Sequence, residues 1–199
     1  PYAQPGMEGH FIHNSFFLGA ATRGAINEGR GDFTPCFFYE VPSLFGETLP
    51  VDVAMVTVTP PDEYGTCSLG ITVDYNYAAI KAAKTVIAQV NDQMPYTCGD
   101  SLVSVFDIDC FVEHSAPLIE LAPGKIGEVE QSIGGLIADL IKDGDTLQLG
   151  IGSIPDAVLG FLTDRNDLGV HTEMFSDGVV NLMNAGNITN RRKTLLPGK

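Results

Sequence analysis

Two spacings of apolar residues run through the chain. Over residues 51–58, Val-Asp-Val-Ala-Met-Val-Thr-Val forms a nearly continuous apolar, β-branched run, and residues 85–90, Thr-Val-Ile-Ala-Gln-Val, repeat it. Runs of this kind predict strands buried on both faces, the condition of central strands in a parallel sheet. Residues 126–142 follow the other spacing. Ile126, Val129, Ile133, Ile137, Leu140 and Ile141 fall on one stripe at the helical period, with Glu128, Glu130, Asp139 and Lys142 off it. That pattern predicts the longest helix of the chain, its apolar stripe turned to the core.

Weaker signals fill in the rest. Residues 10–20 read as a short strand or a loop entering one, 22–28 as a helix stopped by Gly29-Arg-Gly31, and 32–38 as an aromatic-rich strand. Residues 41–45 form a helical turn with Pro42 at an early position. Residues 59–65, Thr-Pro-Pro-Asp-Glu-Tyr-Gly, make a rigid turn, and 75–84 a helix with alanines on its packing face. Residues 102–106 and 110–114 are edge-type strands, with Asp107 and Asp109 on the wet side, and 115–124 cross the surface. Strands at 146–149 and 169–174 alternate with helices at 153–163 and 177–183. This alternation predicts one α/β domain over residues 1–199, an open, mostly parallel sheet with helices on both faces.

Charge narrows the partners. The net charge is -14, from 25 acidic and 11 basic residues, and the only basic cluster is Arg191-Arg192-Lys193. A nucleic-acid or anionic-membrane surface needs clustered cations, so neither is expected. The four cysteines, Cys36, Cys67, Cys98 and Cys110, form no C-x-x-C pair and have no histidine at zinc spacing. No metal site is expected, and reduced thiols in a cytoplasmic protein are. No apolar run approaches the ~20 residues of a membrane span. The chain opens without Met on Pro1-Tyr-Ala-Gln-Pro-Gly, as a loop would, and Leu195-Leu-Pro-Gly-Lys199 ends where another strand is due. The expectation is a piece of a longer polypeptide, with no secretory leader in view.

The chemistry concentrates in residues 146–162, read as a strand, a turn carrying Gly150 and Gly152, and a helix from Ser153. Ser153 and Asp156 have the S-x-x-D spacing of a capping box. Pro155 falls in the first turn, where a missing N–H costs nothing. Free backbone N–H groups over Gly150, Ile151, Gly152, Ser153 and Ile154, with the positive end of the helix dipole, suit a carboxylate, a phosphate or the oxyanion of acyl transfer. The Lys-Ser/Thr of a phosphate-binding Walker loop is missing, and Pro155 stands where a Rossmann turn needs a small residue. On the plainer reading, the two glycines only permit a tight turn. Loops at the carboxyl ends of strands make the ligand crevice of an open α/β sheet, which makes Asp62 and Ser68 site candidates, while Glu173 and Asp177, at the end of another strand, can steer or exclude charge. The Pro-Pro-Asp motif also makes an ordinary turn, and Asp177 can cap its helix. No Gly-x-Ser-x-Gly elbow exists for a serine nucleophile, and His10, His13, His114 and His171 are scattered.

Four motifs, Phe37-Phe-Tyr-Glu-Val-Pro-Ser-Leu44, Pro60-Pro-Asp-Glu-Tyr-Gly65, Leu147-Gln-Leu-Gly-Ile-Gly-Ser-Ile-Pro-Asp-Ala-Val158 and His171-Thr-Glu-Met-Phe-Ser-Asp-Gly-Val-Val180, carry a resemblance. They are similar to the amino-terminal half of the acetyl-CoA hydrolase/transferase family, nearest its 4-hydroxybutyrate and butyryl-CoA:acetate CoA-transferase branch. The resemblance implies a two-domain α/β enzyme, dimeric or larger, that moves coenzyme A between short-chain acyl-CoA and carboxylates. It binds no permanent cofactor, because the coenzyme A thioester is a substrate. A glutamate attacks the acyl-CoA and passes through a glutamyl-CoA thioester, and the Gly150–Pro155 loop lies beside the oxyanion. That glutamate and most coenzyme A contacts belong to the carboxyl-terminal half. No glutamate here matches the motif, and the family's first strand and helix are not found before Pro1. The resemblance therefore implies an amino-terminal domain that supplies pocket wall and leaves the nucleophile to a missing domain, so that the chain alone is inactive. Two other readings stay open, a non-catalytic acyl-CoA or carboxylate-binding module and a structural subunit. Arg23, Arg30 and Lys125 are the cations available to an anionic ligand.

Overall fold

In the computed structural model, which describes residues 2–46 and 48–199, strands and helices alternate as the two spacings require. In chain order they are β1 (His13–Ser15), α1 (Ala20–Asn27), β2 (Gly31–Phe33), α2 (Val41–Leu44), β3 (Val53–Val58), β4 (Thr66–Ser68), α3 (Asn76–Ala82) and β5 (Thr85–Val90). Then follow β6 (Leu102–Ser104), β7 (Cys110–Glu113), α4 (Glu128–Ala138), β8 (Thr146–Leu147), α5 (Ser153–Gly160), β9 (Gly169–Val170) and α6 (Asp177–Asn184). Pairing is mostly parallel: β1 with β2, β3 with β5 and β5 with β7, and β8 with β9, while β4 and β6 pair antiparallel. The α/β class read from the sequence is the class observed. The chain divides into two compact units, Pro1–Ile119 and Glu120–Lys199.

The first unit is built on β3–β5–β7, in the register Val53 opposite Thr85 and Val58 opposite Val90. Ala54, Val56, Val58, Val86 and Ala88 share its buried face, closed by Ile80 of α3, Cys67 and Leu69 at β4, and Val103 of β6. The other face corrects the expectation of strands buried on both sides. Val53 is 49% exposed and Met55 79% exposed. These side chains alternate with the buried ones as the pleat demands, and the core of the unit lies on one side only. The expected strand at 32–38 stops at Phe33. Pro35, which has no N–H for a ladder, stands two residues on, and a 3-10 turn at Phe38–Glu40 follows.

The second unit packs α4 and α5 against each other and α6 against α5. Its core is Ala138, Val158, Leu159, Leu162, Leu168, Val179, Leu182 and Ile188. The predicted helix at 126–142 is present as Glu128–Ala138, opened by the Glu130 carboxylate, which accepts the Gly127 N–H at 2.9 Å. Its packing face is a second correction. Val129 is 67% and Leu140 75% exposed, whereas Gly134 and Ala138 are buried. Small residues let the two backbones meet, since a Cβ at Gly134 would stand 3.0 Å from Ala157 carbonyl C. Close approach thus outweighs the apolar stripe. Arg165 ties off the end of α4, donating from Nε to Ile141 O at 2.9 Å and from Nη2 to Ala138 O at 3.3 Å.

Candidate functional site

After β8 and β9 the backbone ladder ends and one side chain takes over. Thr172 Oγ1 accepts the Leu149 N–H at 3.1 Å and donates to Leu149 O at 2.6 Å. The strands expected at 146–149 and 169–174 are therefore only two residues each, extended by this threonine clasp. The clasp fixes both outgoing segments, 150–152 toward α5 and 173–176 toward α6.

The turn into α5 differs from the expected capping box. Gly152 is the N-cap, at φ 126° and ψ 178°, a conformation that favours glycine, and Ser153 is already the first helical residue. With the cap position taken, neither Ser153 nor Asp156 makes a capping hydrogen bond. Asp156 Oδ1 is buried without a partner among the described residues. The next N–H after Leu149 to find an acceptor is that of Asp156, to Gly152 O at 3.1 Å. Among the described residues, the N–H groups of Gly150, Ile151, Gly152, Ser153 and Ile154 donate to nothing. Pro155 has none to donate, so the loop presents consecutive free donors ahead of a helix dipole.

Beside this loop is a cavity of about 570 Å³. Its apolar lining comes from Leu121, Pro123 and Ile126, from Ile151, and from Met174 and Phe175. Its polar lining is Asp156, Ser176, Asp177 and Asn181, and no lysine or arginine is among the lining residues. Ser176 is the N-cap of α6, yet its Oγ is buried and, like Asp156 Oδ1, has no partner among the described residues. Asp177, expected as a cap, is the first residue of α6 and caps nothing. Asp156 and Asp177 sit in the first turns of α5 and α6, so each helix start is faced by its own carboxyl group.

Of the residues singled out by sequence, Ile151, Gly152 and Asp177 line the cavity. Ser153 lies against the lining segment, its Cβ 3.5 Å from where a Cβ on Gly124 would be. Gly150 approaches Pro155, whose Cγ would be 4.0 Å from a Cβ on the glycine, and Ile154 is exposed. Glu173 is exposed and outside the lining. Sequence reasoning passed over Met174, Phe175, Ser176 and Asn181, although their place just after β9 and in the first turns of α6 was the signal.

Asp62 and Ser68 belong to the first unit and are engaged in its turns. Asp62 Oδ1 accepts the N–H groups of Tyr64 and Thr66 at 2.9 and 2.8 Å. Ser68 is fully buried, accepting from Gly70 N and Thr97 N at 3.0 Å each and donating to Thr97 O at 3.0 Å. The carboxyl ends of β3, β5 and β7 do form a depression, of about 340 Å³, with Pro61, Asp92, Glu113, His114 and Ser115 on its walls. Hydrogen bonds from the Gln93 and Ser115 side chains hold the Asp92 carboxyl below the ordinary aspartate range. Of the candidate cations, Arg30 pairs with Glu28 and Glu8, and Arg23 donates to Leu18 O. Lys125 is exposed, between the lining residues Gly124 and Ile126.

Among the described residues no group of three or more His, Cys, Asp or Glu is placed to hold a metal ion. No helix among them is long and apolar enough to cross a membrane. A family model for the acetyl-CoA hydrolase/transferase N-terminal domain matches residues 2–122. The chain is 59% identical over 199 residues to a 4-hydroxybutyrate coenzyme A transferase of Clostridium kluyveri, covering all of this chain and 46% of that protein. It is 51% identical over 201 positions to a succinyl-CoA:acetate/propanoyl-CoA:succinate CoA transferase of Fasciola hepatica, again over the whole chain and 42% of the relative. Among solved structures, RipA from Yersinia pestis superposes with a TM-score of 0.94 at 35% identity, over 100% of this chain and 48% of that one. The 4-hydroxybutyrate CoA-transferase from Porphyromonas gingivalis superposes with a TM-score of 0.82 at 44% identity, over 94% and 50%. The chain spans about half the length of these relatives.

Proposed function

The chain belongs to the acetyl-CoA hydrolase/transferase family through its N-terminal domain, and from that membership we propose that it is the amino-terminal half of a CoA-transferase. The enzyme moves coenzyme A between a short-chain acyl-CoA and a carboxylate such as acetate or 4-hydroxybutyrate. One observation carries the reading: Ile151 and Gly152, within the run of unbonded N–H groups from Gly150 to Ile154, line a cavity of about 570 Å³. Donors fixed in advance stabilise negative charge as it develops on a carbonyl oxygen, and in a water-poor site they do so strongly.

The chemistry is carboxylate nucleophilic catalysis. A glutamate outside these residues forms a C–O bond to the thioester carbonyl, the C–S bond breaks, and coenzyme A leaves as thiolate. The thiolate then attacks the glutamyl carbonyl of the anhydride and releases the first carboxylate, leaving a glutamyl-CoA thioester. The acceptor carboxylate reverses the sequence. Each step passes through a tetrahedral oxyanion, and the part of this chain is to hold that charge at Ile151, Gly152 and Ser153. Gly150, Ile154 and Pro155 set the turn, while Glu173 and Asp177 keep stray anions away. The enzyme works as a cytoplasmic homo-oligomer, dimeric or larger, without a permanent cofactor. Four unpaired cysteines suit a reducing compartment.

Acyl exchange between butyryl-CoA and acetate by the whole enzyme tests the reading, with mass spectrometry of the protein trapped during turnover. We expect exchange and a coenzyme A adduct on a glutamate outside residues 1–199, and no exchange by the 199-residue chain alone. Absence of exchange by the whole enzyme, or robust exchange by this chain alone, would overturn it.

A further inference from the structure

Resting on the CoA-transferase reading, we infer that Thr172 is a positioning residue of the reaction. Without touching substrate, its hydroxyl sets where the donor loop 150–154 stands against the cavity wall at Met174, Phe175 and Ser176.

The paired strands are too short to set this spacing themselves. Backbone pairing between β8 and β9 covers Thr146 opposite Gly169 and Leu147 opposite Val170, and its last bond runs from His171 N to Leu147 O at 2.9 Å. Two residues on, the Leu149 N–H donates to Thr172 Oγ1 at 3.1 Å, and Oγ1 faces Leu149 O at 2.6 Å. The same oxygen lies 2.9 Å from Met174 O. Its lone pairs accept from Leu149 N, and its single proton serves one carbonyl at a time. Three backbone groups, two at the head of the donor loop and one in the cavity wall, thus refer to one atom. That atom is itself well placed, because the branch at Cβ restricts χ1 of threonine.

Little else holds the loop at this end. Between Leu149 and the Asp156 N–H, which donates to Gly152 O at 3.1 Å, no backbone N–H finds an acceptor among the described residues. Gly150 and Gly152 add conformational freedom. Oxyanion donors act when they stand about 2.7–3.1 Å from the oxygen that becomes charged, and a misplacement of about 1 Å costs roughly 100-fold in rate. Thr172 is not among the residues lining the cavity, so its effect on the reaction passes through the loop.

The test uses the whole enzyme with butyryl-CoA and acetate. Thr172→Val keeps the branch at Cβ and loses the hydroxyl. Its kcat should fall roughly 100-fold with KM little changed, the mark of an interaction that matters in the transition state alone. Thr172→Ser keeps the oxygen and should restore most of kcat. A role confined to stability would lower the melting temperature of Thr172→Val and leave kcat intact well below that temperature, which would overturn the inference. A double-mutant cycle with Gly152→Ala checks the route: the double variant should lose little more kcat than Gly152→Ala alone, and losses that multiply would refute action through the loop. If Thr172→Val does not fold, amide hydrogen exchange of wild type decides. The Leu149 N–H should exchange far more slowly than that of Ile151, and equal rates would dispose of the clasp. A wild type that transfers coenzyme A while Thr172→Val keeps full kcat refutes this inference alone. A wild type that transfers nothing refutes the transferase reading on which it rests.

Discussion

Gly134 of α4 stands so near Ala157 of α5 that a Cβ on the glycine would lie 3.0 Å from the Ala157 Cβ. Its neighbour Gly135 has open space, the nearest atom to an added Cβ being Phe161 Cζ at 3.9 Å. Two adjacent glycines of one helix therefore carry opposite expectations. Gly134→Val should destabilise the second unit by about 1–3 kcal/mol through overpacking. Gly135→Ala should stabilise it by about 0.5–1 kcal/mol, because alanine loses less backbone freedom in a helix. Urea midpoints of the two variants would check this, and shifts of the same sign would contradict the packing seam.

Ser68 holds a fold rather than a substrate. Its Oγ accepts from Gly70 N and Thr97 N, both at 3.0 Å, in a fully buried place. Ser68→Ala should cost about 1–3 kcal/mol, since it strands those donors. In the whole enzyme, kcat measured well below the melting temperature should change little; a large loss of kcat with unchanged stability would return Ser68 to the active site.

Gly152 is limited by conformation and not by space. Its φ is 126°, and nothing lies within 4 Å of a Cβ built on it. Gly152→Ala should therefore strain the turn by about 1–3 kcal/mol and displace the free N–H groups ahead of α5. In the whole enzyme kcat should drop by roughly 10²–10³, as when an oxyanion donor is lost, with little change in KM. A variant with full kcat would detach the loop from the chemistry.

Acid should loosen the junction between residues 143 and 166. Asp143 accepts from Asn166 N at 2.8 Å and from Asn166 Nδ2 at 3.3 Å. These bonds, helped by Arg165 and Arg192, hold its carboxyl below the ordinary aspartate value. A lowered pKa means stability that is present above the unfolded value, about 3.9, and lost as pH falls through the folded one. The melting temperature of wild type should exceed that of Asp143→Asn at pH 6, and the gap should close as pH drops toward 3. A gap that is constant with pH would assign the effect to shape, not charge.

How much of this was legible beforehand depends on the scale of the signal. Val53–Val58 and Thr85–Val90 were plain as strands, and their parallel pairing followed from the helix between them. That only one face of the pair is covered was not legible, because an apolar run looks the same whether or not a neighbour meets it. The Ile and Leu stripe of α4 misled for a related reason: periodicity marks an apolar face but cannot weigh it against the closer approach that Gly134 and Ala138 allow. At the site, Gly150 to Ile154 stood out as a turn of free donors. The displacement of Ser153 from cap to first helical residue hangs on one dihedral, that of Gly152, which composition does not encode. Thr172, which clasps both segments of the site, gave no signal at all, since its partner is a backbone amide 23 residues away.

The bare face of β3–β5–β7, with Val53 and Met55 in solvent, has a colloidal consequence. At low ionic strength the net charge of -14 keeps copies of the chain apart. Salt shortens the reach of that repulsion, from about 10 Å at 0.1 M to about 3 Å at 1 M, while contact between apolar faces is untouched by screening. Dispersion of the isolated chain thus rests on its acidity, and adding salt removes the barrier before it removes the attraction.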